Sequence, residues 1–348
     1  MTRYILEYAV TVLIIGAITA GAVLVFAGER NSPTSKRICM IDGKEAKAEL
    51  YADGAGIRLY ACSEECLDKM RSRAAQTKLV ELSQREPELI PINRSHQWTT
   101  EEVRSDMVLI KGGEFSRPGL FLKRARRGES HEEVKHRGYR VRVAPFYMDK
   151  YEVTYEAYCR FLNDGNEKYA TGGTQRNENG CFAPPRPEMA RLPMRGANYF
   201  HAKAYAQWAG KRLPTEAEWE FAHGGSQGRT YPWGEEKPDK TRANFGPALK
   251  GLKPVGSLPN GQTPEGVFDL AGNIGEWCAD YYDEDYYRNT SEEVIENPRG
   301  PKNGYLRVQR LGCQCRHATA EDLRGNLRCS ASPFRAAPCV GFRCVLTK

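Results

Sequence analysis

Charge of one sign is scarce in this chain. Lys and Arg number 51 against 44 Asp and Glu, a formal net charge of +7 over 348 residues. That surplus is too small for a dedicated nucleic-acid binder, which concentrates its basic residues. No glycine-rich loop follows a strand and opens a helix, so the phosphate cradle of nucleotide enzymes is missing, and no serine triad stands in its place. Histidine is sparse, at 6. His131 and His136 have no cysteine or periodic carboxylate beside them, a poor pattern for a metal site. Long helical periodicities are few, and Gly 33 with Pro 20 speaks for turns over a helical bundle. A wholly disordered chain is excluded by 40% hydrophobic and 10% aromatic residues. The length accommodates one large or two ordinary domains.

One long apolar run is present. Tyr8 to Gly28 is uncharged, between Glu7 and Glu29-Arg30, and its length matches a hydrocarbon core of about 30 Å. It is longer than the apolar region of a cleaved signal peptide, although Ala20-Gly21-Ala22 offers a cleavage site. We therefore expect residues 1–30 to form a single-pass anchor, with the membrane as a partner. Gly16 with Ala20, and Ala17 with Gly21, suit close packing against another helix. Arg3 on one side and Arg30, Lys36 and Arg37 on the other do not decide the orientation.

Cysteine is plentiful, at 11. Cys39, Cys62 and Cys66 form C-x22-C-x3-C in a module over residues 31–75. Between them, residues 48–60 read as two short strands around an Asp-Gly-Ala-Gly turn. Ser63 can cap a helix that brings Cys66 into its first turn. Such a hairpin and helix start let thiolates converge on one ion. CMIDG and YACSEEC resemble the TRASH/YHS family of metal-binding modules over residues 37–72. That resemblance implies zinc or copper held by Cys39, Cys62 and Cys66. Asp42, standing where many members carry a second early cysteine, or water would be the fourth ligand. A disulfide plus a spare thiol is the competing reading. Residues 76–105 hold Pro87, Pro91 and many charges, and read as a linker with at most a short helix.

From residue 106 the pattern changes. MVLIKGGEF reads as a strand ending in Gly-Gly, and Tyr139 to Tyr147 alternates like one half-buried strand. Thr154 can cap a helix carrying Tyr158, Phe161 and Leu162, closed near Asn163 and Gly165. Asn198 can cap a second with Ala202, Tyr205 and Trp208, closed by Gly210. Thr215 with Glu218 makes a capping box for a third, ending at Gly224-Gly225. The expected class is α+β with much irregular structure, over residues 106–348.

These segments also carry a resemblance. MVLIKGGEF, FYMDKYEVTYEAYCRFL, AKAYAQWAGKRLPTEAEWEFAHGG, YPWGEE, FDLAGNIGEW and GFRC resemble, in order, the formylglycine-generating enzyme (sulfatase-modifying factor) family. The resemblance implies a compact fold related to C-type lectins, with bound calcium. Independently, Asp269 and Glu276 lie seven apart across a Gly-Asn turn, a loop able to aim oxygens at a hard cation. The family's ligands would be Asp269, the carbonyls of Gly272 and Ile274, and Glu276. A second calcium site would begin at Asn244-Phe245, but its acidic second half is missing.

Members of that family that make formylglycine oxidise a sulfatase cysteine with O2 at a Cu(I) ion held by a C-x4-C pair, since soft thiolates suit Cu(I). Counted forward from Leu311-Gly312-Cys313, the pair falls on Arg316 and Glu321. Counted back from Cys329, it falls on Thr319 and Arg324. Cys313 and Cys315, two apart, are the substitute candidates, because alternate residues of a strand share a face. Eight cysteines in a loop-rich domain instead favour disulfides and an extracytoplasmic location. Ala206 and Ala222 stand where some relatives carry disulfide cysteines, so any pairing is rewired.

The resulting expectation is a membrane-anchored, extracytoplasmic accessory protein that binds a protein or saccharide partner or joins a membrane complex, and no nucleic acid. A copper- or iron-dependent oxidase and a metal-handling protein are the alternatives. The run Lys123 to Arg127 reads as a solvated loop, or as a contact for acidic lipid headgroups.

Overall fold

The computed structural model describes residues 51–54, 57–60, 92–93, 98–117, 120–123, 132–135, 138–246, 251–287, 294–310 and 318–348. Two compact units divide the chain, Met1–Glu88 and Leu89–Lys348.

In the first unit, β1 (Tyr51–Gly54) and β2 (Ile57–Tyr60) pair antiparallel from Tyr51↔Tyr60 to Gly54↔Ile57. The sequence places a hairpin here with its turn over Asp53-Gly54-Ala55-Gly56, whereas Asp53 and Gly54 pair within the strands. Cys39, Asp42, Cys62 and Cys66 lie outside the described residues, as does the run from Tyr8 to Gly28. Among the described residues no helix is long and apolar enough to cross a membrane.

The second unit is a mixed α+β domain. Thr99 caps α1 (Thr100–Arg104) in a capping box with Glu102. The next strands are β3 (Met107–Ile110), β4 (Gly113–Arg117), β5 (Leu120–Lys123), β6 (Glu132–Lys135), β7 (Tyr139–Val143) and β8 (Phe146–Asp149). The expected single strand over 139–147 is therefore two. Pro145 cannot donate to a ladder, so the chain leaves one sheet at Ala144-Pro145 and enters another. Gly112, at φ +69°, backs this corner. A Cβ there would lie 2.4 Å from the Val143 carbonyl oxygen, which only glycine avoids.

Three helices follow where their caps predict them. In α2 (Tyr155–Phe161) the Thr154 side chain accepts from the Ala157 amide, and Tyr155, Tyr158 and Phe161 are buried. In α3 (Tyr199–Trp208) Asn198 accepts from His201. In α4 (Glu216–Gly224) Thr215 and Glu218 form the full capping box, and Gly225 closes the helix at φ +65°. The remaining strands are short: β9 (Gln175–Arg176), β10 (Phe182–Ala183), β11 (Gly275–Tyr281), β12 (Val294–Glu296), β13 (Arg307–Arg310), β14 (Leu327–Ala331), β15 (Val340–Gly341) and β16 (Val345–Thr347).

The largest sheet runs β15-β11-β13-β14-β5-β6, and smaller sheets run β12-β7-β4 and β16-β8-β3. The insertion between β4 and β7 thus supplies two strands that extend the main sheet through a parallel β14–β5 pair. One apolar core gathers α2 and α3 around Tyr158, Phe161, Tyr205 and Phe342. A second packs α4, through Trp219 and Phe221, against Val141, Phe146, Val308 and Val345.

Because the Thr215 hydroxyl satisfies a helix-end donor, Thr215→Ala is expected to cost about 1 kcal/mol. The midpoint of denaturant unfolding measures this; an unchanged midpoint would remove the cap from the stability argument.

Candidate functional site

Helix α4 carries glutamates at 216, 218 and 220, a pattern that on a surface helix would face water. All three are buried. Glu216 is the hub. Its Oε1 accepts from Arg310 Nη1 at 2.9 Å and Arg328 Nε at 2.8 Å, and its Oε2 from Arg328 Nη2 at 2.9 Å. Arg310 and Arg328 are direct partners across β13 and β14. Two like charges stand side by side there, and the carboxylate between them makes the pairing tolerable. Arg117, from β4, pairs with Glu220, lies over the Tyr287 ring at 4.2 Å and donates to the Tyr139 hydroxyl. Burial opposes the charge on Glu216, but Arg328, Arg117 and Arg310 together draw its carboxyl down to about 2. Glu220 keeps fewer donors, and burial pushes it up.

The same helix reaches the segment before β14. His223 stacks on Trp219, and its Nε2 lies 3.2 Å from the Leu323 carbonyl oxygen. Burial, with Arg310, lowers its imidazole to about 3, so the ring is neutral and Nε2 donates. A Cβ at Gly325 would lie 2.6 Å from His223 Nδ1. Arg310 also donates to the Gly325 carbonyl. Residues 323–328 are therefore tied to α4.

A second centre surrounds the acidic turn. Asp269, Gly272 and Asn273 all have positive φ, and the Asn273 amide donates to the Asn244 carbonyl at 2.9 Å. Asn244 Nδ2 donates in turn to Asn273 Oδ1 at 3.1 Å. Asn244 and Asn273, which fall in the two segments that the sequence assigns to separate calcium sites, thus meet in one hydrogen-bonded hub. Phe245 packs beside it, against the cluster of Tyr231, Ala271 and Leu323, and Ile274 is fully buried.

Asp269 Oδ2 accepts from the Gly256 amide at 2.7 Å. Glu276 is engaged elsewhere. Arg343, 0% exposed, donates to both its oxygens at 2.7–3.0 Å, and Trp219 Nε1 donates to Oε2 at 2.9 Å. Glu152, absent from the expected ligands, reaches the turn: its Oε2 accepts from Asn273 Nδ2 at 3.0 Å, and its buried Oε1 has no partner among the described residues. Burial, then the neighbouring Asp269, pushes the Glu152 carboxyl well above its ordinary range, and burial raises the Asp269 carboxyl. Among the described residues no three His, Cys, Asp or Glu side chains converge as a metal-binding group.

Cys313, Cys315 and Arg316 lie outside the described residues. Thr319 forms a capping box with Asp322 on a 3-10 turn, Ala320–Leu323, and Glu321 pairs with Arg324 at 2.8 Å on the surface. No two cysteines are bridged among the described residues, and two of the eight cysteines expected to pair, Cys313 and Cys315, lie outside them. Cys159, Cys278 and Cys344 are buried singly in packed regions. Burial pushes the Cys159 thiol up to about 11 and raises the other two as well, so each behaves as a small apolar side chain.

Residues 95–348 match the Sulfatase-modifying factor enzyme 1-like domain. This chain belongs to that family. A Chlamydia pneumoniae protein named "Serine/threonine-protein kinase pkn1" is 37% identical over 255 residues, covering 70% of this chain and 38% of that protein. The chain thus spans less than half the length of that curated relative. The formylglycine-generating enzyme of Thermomonospora curvata is 29% identical, over 70% of this chain and 94% of the enzyme. PvdO from Pseudomonas aeruginosa aligns over 70% of this chain and 94% of that structure, with a TM-score of 0.48 and 23% identity.

Sequence reasoning missed the charged interior of the family domain, namely Glu216, Glu220, Asp280, Arg117, Arg310 and Arg328. Nothing local in the sequence marks them, because Glu216 meets Arg310 and Arg328 across 94 and 112 residues. Glu216→Ala would strand Arg310 and Arg328, and is expected to cost about 3–5 kcal/mol. Removing the exposed Arg142, whose side chain is 51% accessible, should cost less than about 1 kcal/mol. Denaturant unfolding of both variants checks the contrast, and equal costs would refute it.

Proposed function

We propose that this chain is a membrane-anchored, extracytoplasmic accessory protein whose family domain binds a protein or saccharide partner, or forms a subunit of a membrane complex. The observation that carries the reading is the chemistry at the positions counted for the copper pair. Thr319, Glu321 and Arg324 offer a cap and an exposed ion pair, where Cu(I) needs two soft thiolates. The retained scaffold speaks for a kept surface, and the membrane anchor rests on the run from Tyr8 to Gly28. Kinase activity is not carried over from the chlamydial relative, because the chain covers only 38% of that protein. Incubation with a C-x-P-x-R peptide, Cu(I) and O2 should leave the peptide cysteine unchanged by mass spectrometry. Conversion to an aldehyde would restore the oxidase reading, with Cys313 and Cys315 as its candidates.

Calcium remains part of the proposal. Of three buried carboxyls, Glu152, Asp269 and Glu276, only Glu276 is bonded by Arg343, and the orphaned Glu152 Oε1 fits a hard cation beside Asp269. Glu152 and Asp269 would hold the ion and Glu276 would stay with Arg343. Calcium would then supply structural charge neutralisation. Added calcium should raise the melting temperature of the chain, and Glu152→Gln should abolish that rise. A rise of equal size in the variant would exclude Glu152 as a ligand.

A second reading has one specific support. The β1–β2 hairpin forms where two short strands are expected, and a TRASH/YHS-like module would contain such a hairpin. Zinc or copper content of the full chain should therefore fall on Cys62→Ser, and unchanged content would remove metal handling from consideration.

A further inference from the structure

Strand β11 carries Asp280 near its end, 1% exposed and facing the first turn of α4. Its Oδ2 accepts from the Glu216 amide at 2.8 Å, while its buried Oδ1 has no hydrogen-bond partner among the described residues. The nearby guanidinium groups are committed elsewhere, Arg310 and Arg328 to Glu216 and Arg117 to Glu220. The groups facing Asp280 are Glu216 and Glu218 from α4, Arg117 from β4, Cys278 from its own strand, and Tyr287. Glu218 is itself paired with Arg212. Gly300, at φ +72°, seals the other side, and a Cβ there would lie 2.9 Å from the Asp280 Cβ. A carboxylate so placed would confront Glu216 with one backbone donor and no cation of its own, an arrangement that favours the neutral acid.

We propose that Asp280 is a proton-linked latch between β11 and α4. As a neutral acid it seats the first turn of the helix, and as an anion it sets two carboxylates against each other across that joint. Burial, and next the charge of Glu216, push its carboxyl up to about 7, against the pull of the Glu216 amide and Arg117. The sign follows from proton linkage. The folded state holds the proton to higher pH than the unfolded chain does. The latch therefore contributes fully below the ordinary aspartate range of about 4, weakens as pH rises, and is spent once pH has passed about 7. Because Glu216 also holds Arg310 and Arg328, the latch bears on both strands that flank residues 311–326.

The test is denaturant unfolding of the full chain at pH 6 and pH 8, beside Asp280→Asn. With a carboxyl titrating at about 7, the unfolding constant of the unmodified chain should rise about tenfold more between these pH values than that of the variant. Glu188→Gln, at an exposed surface carboxyl, should retain the full rise. An equal pH dependence in Asp280→Asn and the unmodified chain overturns the proposal. Should Asp280→Asn not fold, Asp280→Ser carries the same comparison. Carboxyl 13C resonances of the unmodified chain read the titration directly, and none titrating between pH 6 and pH 8 overturns the latch.

Discussion

Two arginines directly opposite each other on neighbouring strands would ordinarily split a sheet. In this domain Arg310 and Arg328 occupy such a pair of positions, and the carboxylate of Glu216 is what keeps β13 and β14 together beneath α4. The arrangement spreads outward from there. Arg117 brings in β4, the Tyr139 and Tyr287 rings cover its guanidinium, and Arg343 repeats the solution with Glu276 at the start of β11. Buried ion pairs contribute little net stability over apolar packing, but a missing partner is heavily penalised. A domain with so many irregular connections gains specificity this way, because the wrong register leaves a charge alone.

Local signals carried most of what the sequence revealed. Thr154, Asn198 and Thr215 mark helix starts because a side-chain oxygen at an N-cap acts on its own next turn, with no reference to the rest of the chain. The hairpin at 51–60 follows from turn chemistry in the same way. Tyr139–Tyr147 misled because alternation continued across Pro145, where the decisive fact was the missing donor. The charged interior was illegible for a different reason. Glu216 finds Arg310 94 residues away and Arg328 112 residues away, and the TEAEWE pattern reads equally well as a solvated face. The acidic turn was recognised from its spacing, but Arg343 and Glu152 reach it from distant segments, so its actual partners were hidden.

The family domain separates scaffold from chemistry. Its helices, its positive-φ turn at 269–273 and its long-range ion pairs belong to the architecture. The described cysteines reinforce this division: Cys159, Cys278 and Cys344 fill space in packed regions with thiols that burial keeps protonated.

The contact between Gly325 and His223 has an evolutionary consequence. With the imidazole nitrogen lying where the first carbon of any side chain at 325 would go, position 325 cannot drift alone. Enlarging residue 325 first requires a smaller residue at 223. Exchanges should therefore pass in that order, tying the sequence history of a helix to that of a loop about a hundred residues downstream.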